Sequence, residues 1–186
     1  HELRIMFQDG ETFPFEEIIN KSITWGDISK QKIRDFLKEA DISLKRISPE
    51  HFLSSLNVAR EGHITNAGVL FFAENVCRFV LQAQMTLIAF KGREKVHIYD
   101  RQDIRDDLLT QFNAAVFFFK KHLNRGSVIR GVNREDVYEI PLEVIREAVV
   151  NAIVHRDYGI RGTSLIVEIF DDRVEITNPG GLPRGL

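Results

Sequence analysis

The sequence predicts an α+β fold in two units, on three observations. Apolar residues recur at helical spacing in several separate stretches, strand-like runs come in pairs around turn residues, and the composition changes near residue 100. Residues 1–100 are expected to form a connecting domain that mixes helices with a small strand pair, and residues 101–186 to pack two long helices on a C-terminal hairpin as an incomplete α/β sandwich. A chain of 186 residues can bury a core of this kind unaided, and 44% hydrophobic with 28% charged residues excludes disordered, collagen-like and coiled-coil chains.

The elements follow in order. Ser29 reads as an N-cap before a helix carrying Ile33, Phe36, Leu37 and Ala40 at helical spacing. Ser48-Pro49 opens a second helix by the cap-then-proline rule, with Phe52, Leu53 and Leu56 on it. Residues 65–79 read as a third, with Gly68 inside it. Residues 82–90 and 96–99 read as strands around the turn Lys91-Gly92-Arg93-Glu94. Residues 104–123 form a strong helix with Leu108, Leu109, Phe112, Ala115, Val116 and Phe119 on one stripe. Short strands are expected at 127–132 and 137–140, then a long helix from Pro141 to about 158, closed by Gly159 as its C′ residue. The tail reads as a hairpin, 164–170 and 173–177 around Asp171-Asp172, leading into Asn178-Pro179-Gly180-Gly181.

Cys77 is the single cysteine, which excludes an intrachain disulfide and any zinc site of two or more sulfurs, and points to a reducing, cytoplasmic setting. The longest apolar runs, 67–73 and 114–119, are far shorter than a membrane span. The chain opens on His1-Glu2-Leu3 and stops at Pro183-Arg184-Gly185-Leu186, so both ends are read as cuts in a longer protein. A net charge of −2 argues against a whole-surface grip on nucleic acid. Lys120, Lys121, Arg125, Arg130 and Arg134 could make a local contact of that kind; equally, the lysines could compensate a helix C-terminus while the arginines decorate a loop.

Within the helix that begins after Pro141, apolar residues occupy most of the circumference, the pattern of a largely buried helix. Glu147, Asn151 and His155 interrupt it four residues apart and therefore share one slanted stripe. Polar groups on an apolar helix line a cleft or pair with a neighbouring element, because burying them unpaired costs several kcal/mol. The cleft is the sharper reading; the alternative is that Glu147 pairs with an arginine such as Arg130 while Asn151 and His155 satisfy loop backbone. The Pro-Gly-Gly turn after the last strand would let backbone approach a ligand closely.

Taken together, the run from Arg146-Glu147 through Asn151 to His155-Arg156-Asp157-Tyr158, followed by Val174-Glu175-Ile176-Thr177-Asn178-Pro179-Gly180-Gly181-Leu182-Pro183, resembles the start of a GHKL-type (Bergerat) ATPase domain. It is most similar to the version fused to an AlbA-like (Schlafen-type, divergent AAA) DNA-binding domain in bacterial and archaeal transcriptional regulators, often labelled RecG-like ATP-dependent helicases. The likeness is strong over roughly residues 140–186 and more diffuse over 60–135, which includes Gly62-His63-Ile64-Thr65-Asn66-Ala67-Gly68. It implies that Asn151 ligates the Mg²⁺ bridging the phosphates of ATP and that Glu147 is the general base for the attacking water. It also implies a nucleotide-binding role for His155, Asn178, Gly180 and Gly181. The family's adenine-recognising DxGxG box is altered here: Asn178 stands at the aspartate position, Gly180 at the first glycine, and Leu182 replaces the second. Asparagine keeps an acceptor for an adenine amino group but adds a donor. The lid and second glycine-rich box would lie beyond Leu186 and the AlbA-like core mostly before His1, so this chain alone is expected to bind nucleotide weakly or not at all and to lack ATPase activity, whatever the full protein does.

Two functions of different classes follow from the resemblance. One is part of a transcriptional regulator that binds ATP and Mg²⁺ and couples them to DNA through its AlbA-like domain. The other is a non-catalytic Bergerat-like module for interaction or homo-oligomerisation, using apolar surface such as Phe117, Phe118 and Phe119. A metal-hydrolase cluster of Glu147, His155 and Asp157 is a third and poorer reading, since residues two apart on a helix face away from each other.

Overall fold

The computed structural model describes residues 15–42, 48–130 and 133–179, and the chain divides into two compact units, His1–Leu81 and Gln82–Leu186. It is mixed α/β with antiparallel and parallel strand pairs, as the α+β reading requires.

In the first unit, α1 (Lys30–Glu39) starts where Ser29 Oγ accepts from the Lys32 amide at 3.4 Å, and α2 (Pro49–Ser55) starts where Ser48 does the same for His51 at 3.3 Å. A two-stranded turn follows, β1 (Ala59–Arg60) against β2 (His63–Ile64). The helix expected over 65–79 is two: α3 (Asn66–Phe72), capped by Thr65, and α4 (Val76–Phe79), capped by Asn75, with Ala73 extended between them. Asn75 competes for the helix because its side chain offers the Arg78 amide a new start. The core of this unit is a ring cluster in which Phe36 lies edge-on to Phe52, Phe71 and Phe72, with Leu53, Val69 and Leu70 buried around it.

The second unit is built on a four-stranded sheet. β3 (Met85–Phe90) pairs antiparallel with β4 (Ile98–Ile104) and parallel with β7 (Leu165–Ile169), and β7 pairs antiparallel with β8 (Val174–Thr177), in the order β4-β3-β7-β8. The strand pair that sequence reading assigned to the first unit therefore belongs to this sheet, and the compact units divide at Leu81/Gln82 rather than near residue 100. The reason is the parallel β3–β7 ladder, Met85↔Leu165 to Ala89↔Ile169, a pairing no local pattern announces.

Between β4 and β7 run α5 (Leu108–His122), a hairpin of β5 (Arg125–Arg130) and β6 (Asn133–Tyr138), and α6 (Leu142–Val154). Asp107 caps α5, accepting from the Thr110 amide and hydroxyl at 2.8 and 2.9 Å, and Ile104, expected as the start of that helix, ends β4 instead. Phe118, Phe119 and Ala115 are fully buried, and α5 packs on β3, β4 and β7. Helix α6 packs on α5 through Ile145, Val149, Ala152 and Ile153.

Candidate functional site

Helix α6 ends at Val154, one turn earlier than its apolar pattern suggests. His155 is its C-cap, and Arg156 turns inward: the residue is 3% exposed and its guanidinium donates to the carbonyls of Gln84 at 3.2 Å and Thr163 at 2.7 Å. One arginine thus ties the end of α6 to the segments that lead into β3 and β7. Burial lowers its affinity for a proton, with Asp157 and Tyr158 opposing that shift. The buried Tyr158 completes the junction, its hydroxyl donating to the Ile153 carbonyl at 3.2 Å and its carbonyl accepting from Gln82 Nε2. Sequence reading took Arg156 and Tyr158 only as part of the motif; a cation beside an apolar helix end was the available sign of their structural task.

This junction presents the stripe. Glu147, Asn151 and His155 are all exposed, and among the described residues none of their side chains has a hydrogen-bond or ion-pair partner. The alternative in which Glu147 takes an arginine is not what the described side chains form: Arg146 lies over the Phe112 ring, 4.9 Å from its centroid, and the side chain of Arg130 is outside the described ones. The stripe is flanked by apolar residues left in the open. Val144, Val150 and Val154 are 54%, 43% and 65% exposed, so α6 is buried on one face rather than largely buried.

Asn178 follows β8, and the next residue ties that exit to the helix: the Asp157 N–H donates to the Pro179 carbonyl at 3.2 Å, bringing the exit of β8 to the C-terminal end of α6. Asn178 is half-buried, and its Oδ1 is a buried acceptor with no partner among the described residues. Such an acceptor costs about 1–3 kcal/mol if nothing donates to it. Gly180, Gly181 and Leu182 lie outside the described residues.

The chemistry of the exposed stripe is that of hard oxygen ligands. A free amide oxygen and a free carboxylate one helical turn apart are hard ligands, and no group of three or more His, Cys, Asp or Glu that could hold a metal by itself occurs among the described residues. That arrangement leaves no support for the Glu147, His155 and Asp157 hydrolase cluster; the Asp157 carboxylate instead accepts from the Gly159 amide at 2.8 Å, closing a local turn.

A separate cleft of about 200 Å³ lies at the β7–β8 turn, lined by Glu139, Asp171, Asp172 and Arg173 among others, at the opposite end of β8 from Asn178. Three carboxylates face one guanidinium that is already held by Glu175, Asp172 and the Arg93 carbonyl, so this cleft does not suit a polyphosphate.

Among the basic residues singled out, Lys121 binds Asp100 at 2.8 Å, and with Lys120 it stands in the last turn of α5 as helix-end charges do. The side chains of Arg125, Arg130 and Arg134 are outside the described ones.

No protein-family model matches the chain, and no curated protein matches it. Among solved structures, the chain is similar to the DIP2311 protein from Corynebacterium diphtheriae, with a TM-score of 0.77 at 21% identity over 97% of this chain. It covers 36% of that protein's chain, so it spans about a third of its length. The likeness is one of fold.

Proposed function

We propose that this chain is part of a transcriptional regulator in which the second unit begins an ATP-binding module of the GHKL type, coupled in the full protein to an AlbA-like DNA-binding domain. The observation that carries the reading is the buried Asn178 Oδ1, without a partner among the described residues, on the segment that the Asp157–Pro179 bond ties to the C-terminal end of the helix bearing the exposed Glu147-Asn151-His155 stripe. Such an acceptor, tied to the helix that bears a hard-ligand set, is the chemistry an adenine amino group and a magnesium-bound phosphate chain would satisfy. In this reading Asn151 ligates Mg²⁺, Asn178 accepts from the base, His155 with Gly180 and Gly181 borders the nucleotide, and Glu147 holds and deprotonates water. The metal would supply charge neutralisation along the phosphates. The setting is cytoplasmic, a reading that Cys77, as the single cysteine of the sequence with no second one to bridge, supports.

Calorimetric titration of ATP, ADP and GTP with Mg²⁺ into the full-length protein tests it. Saturable, adenine-selective binding is expected, abolished by Asn151→Ala and stripped of base preference by Asn178→Ala. Any ATPase activity should fall about 100-fold or more in Glu147→Ala with binding retained. Normal nucleotide binding by Asn151→Ala would overturn the assignment.

The open valines of α6 and the 66%-exposed Phe117 favour a second reading, a Bergerat-like module that has lost nucleotide and associates with another copy. Phe118 and Phe119 are fully buried and take no part in it. Absence of binding heat from folded protein, together with concentration-dependent dimerisation in sedimentation, would establish that alternative.

A further inference from the structure

We infer that Tyr99 is a nucleophilic tyrosine, activated by His122 and Asp100 to accept an acyl group from an activated ester or thioester. The three residues form a hydrogen-bonded line on the second unit, from β4 to the last turn of α5. Tyr99 Oη is 2.7 Å from His122 Nδ1, and His122 Nε2 is 2.7 Å from Asp100 Oδ2. The Asp100 carboxylate also accepts from Lys121 Nζ at 2.8 Å. The Lys121 hydrogen bond, followed by that of His122, holds the Asp100 carboxyl below the usual carboxylate range against the effect of burial. Because a carboxylate can only accept, His122 Nε2 carries the proton it donates, which in the neutral form of the ring leaves Nδ1 as the acceptor for the phenol. This is the arrangement of nucleophile, base and orienting acid that activates a hydroxyl.

Backbone geometry was needed to assemble it. In a regular strand Tyr99 and Asp100 would point to opposite faces. Here Ala89 pairs with Asp100 and Phe90 with Ile98, so Tyr99 is the extra residue of a β-bulge, and both neighbours reach one imidazole. The base is rigid: the His122 side chain is 3% exposed, tilted against Phe118 at 4.3 Å between centroids and edge-on to Tyr99 at 5.2 Å. The nucleophile is open, with Tyr99 61% exposed on the edge strand β4. In the step, Tyr99 Oη bonds to the acyl carbon while its proton passes to His122 Nδ1. The bond from that carbon to the alkoxy, aryloxy or thiol group then breaks, and the departing atom takes the proton from His122. Ester and phenol become acyl-tyrosine and alcohol or thiol, with no change of oxidation state.

The chain carries three tyrosines, and the other two serve as internal controls, since Tyr138 is half-buried and Tyr158 is buried with its hydroxyl donated to Ile153. The 186-residue chain is treated with p-nitrophenyl acetate, and acetylation is followed site by site by peptide mass mapping. Tyr99 should be acetylated faster than Tyr138, Tyr158 and free N-acetyltyrosinamide, about tenfold or more, and Asp100→Asn and His122→Phe should remove that excess. Tyr99→Phe should remove the fast tyrosine site and leave lysine, amino-terminal and slow Tyr138 acetylation. Circular dichroism reports whether the variants fold; should His122→Phe fail, Asp100→Asn, which keeps every ring in place, decides. Tyr99 reacting no faster than the free phenol, or at the wild-type rate in folded Asp100→Asn, overturns the inference.

Discussion

Arg156 shows how a single buried side chain can tie a helix end to the segments entering two strands. It is a buried cation that satisfies two loop carbonyls, and its own Nε is without a partner among the described residues. Arg156→Met keeps the stem but strands both carbonyls, so a loss of about 2–4 kcal/mol in urea unfolding is expected. Gly68 makes a comparable point without charge. A Cβ there would sit 2.5 Å from the Val58 carbonyl oxygen, which is backbone and cannot step aside. Gly68→Ala should therefore cost about 1–3 kcal/mol even though alanine is the better helix former. Asp100 carries a pH dependence of definite sign. Its carboxyl is depressed in the folded state by the Lys121 and His122 hydrogen bonds, so its contribution is complete above the unfolded value near about pH 4 and is lost as pH falls through the lower folded value. Acid unfolding followed by circular dichroism should show a shallower decline below about pH 4 in Asp100→Asn than in the parent chain.

At the scale of elements, caps rather than propensities set several boundaries. Asp107, 3% exposed, holds the first turn of α5 by two hydrogen bonds to Thr110. Asp107→Ala is expected to lower the melting temperature through a loss of about 1–2 kcal/mol, read by calorimetry. Sequence periodicity located α1, α2, α5 and α6 well because each has an apolar face that repeats with the helical turn. It failed between α3 and α4, where Asn75 restarts the helix, and it carried α6 a turn too far because Arg156 reads as polar and therefore as solvent-facing. The bulge at Tyr99 left no mark on the alternation, so its partnership with His122 was invisible until β3 and β4 were paired.

For the whole molecule, the two units have separate cores, the phenylalanine cluster in one and the face shared by α5 and the sheet in the other. Calorimetry should accordingly show Gly68→Ala lowering the transition of the first unit and Asp107→Ala that of the second. No helix among the described residues is long and apolar enough to cross a membrane. With a net charge of −2, this chain alone is expected to leave duplex DNA unshifted in gel retardation at physiological salt.

What could be read from residues alone was local. The α+β character, the hairpin of β7 and β8, the caps at Ser29 and Ser48 and the four-residue spacing of Glu147, Asn151 and His155 all depend on neighbours in the chain, and periodicity reports neighbours. Folding decided the rest through contacts between distant segments. The parallel β3–β7 ladder moved the strand pair into the second unit, the packing of α6 on one face alone left its valines and its polar stripe open, and the Asp157–Pro179 bond tied the exit of β8, with an Asn178 oxygen that has no partner among the described residues, to the end of α6. None of these has a signature in spacing, because parallel pairing, one-sided burial and an unmet acceptor are properties of partners far apart in sequence.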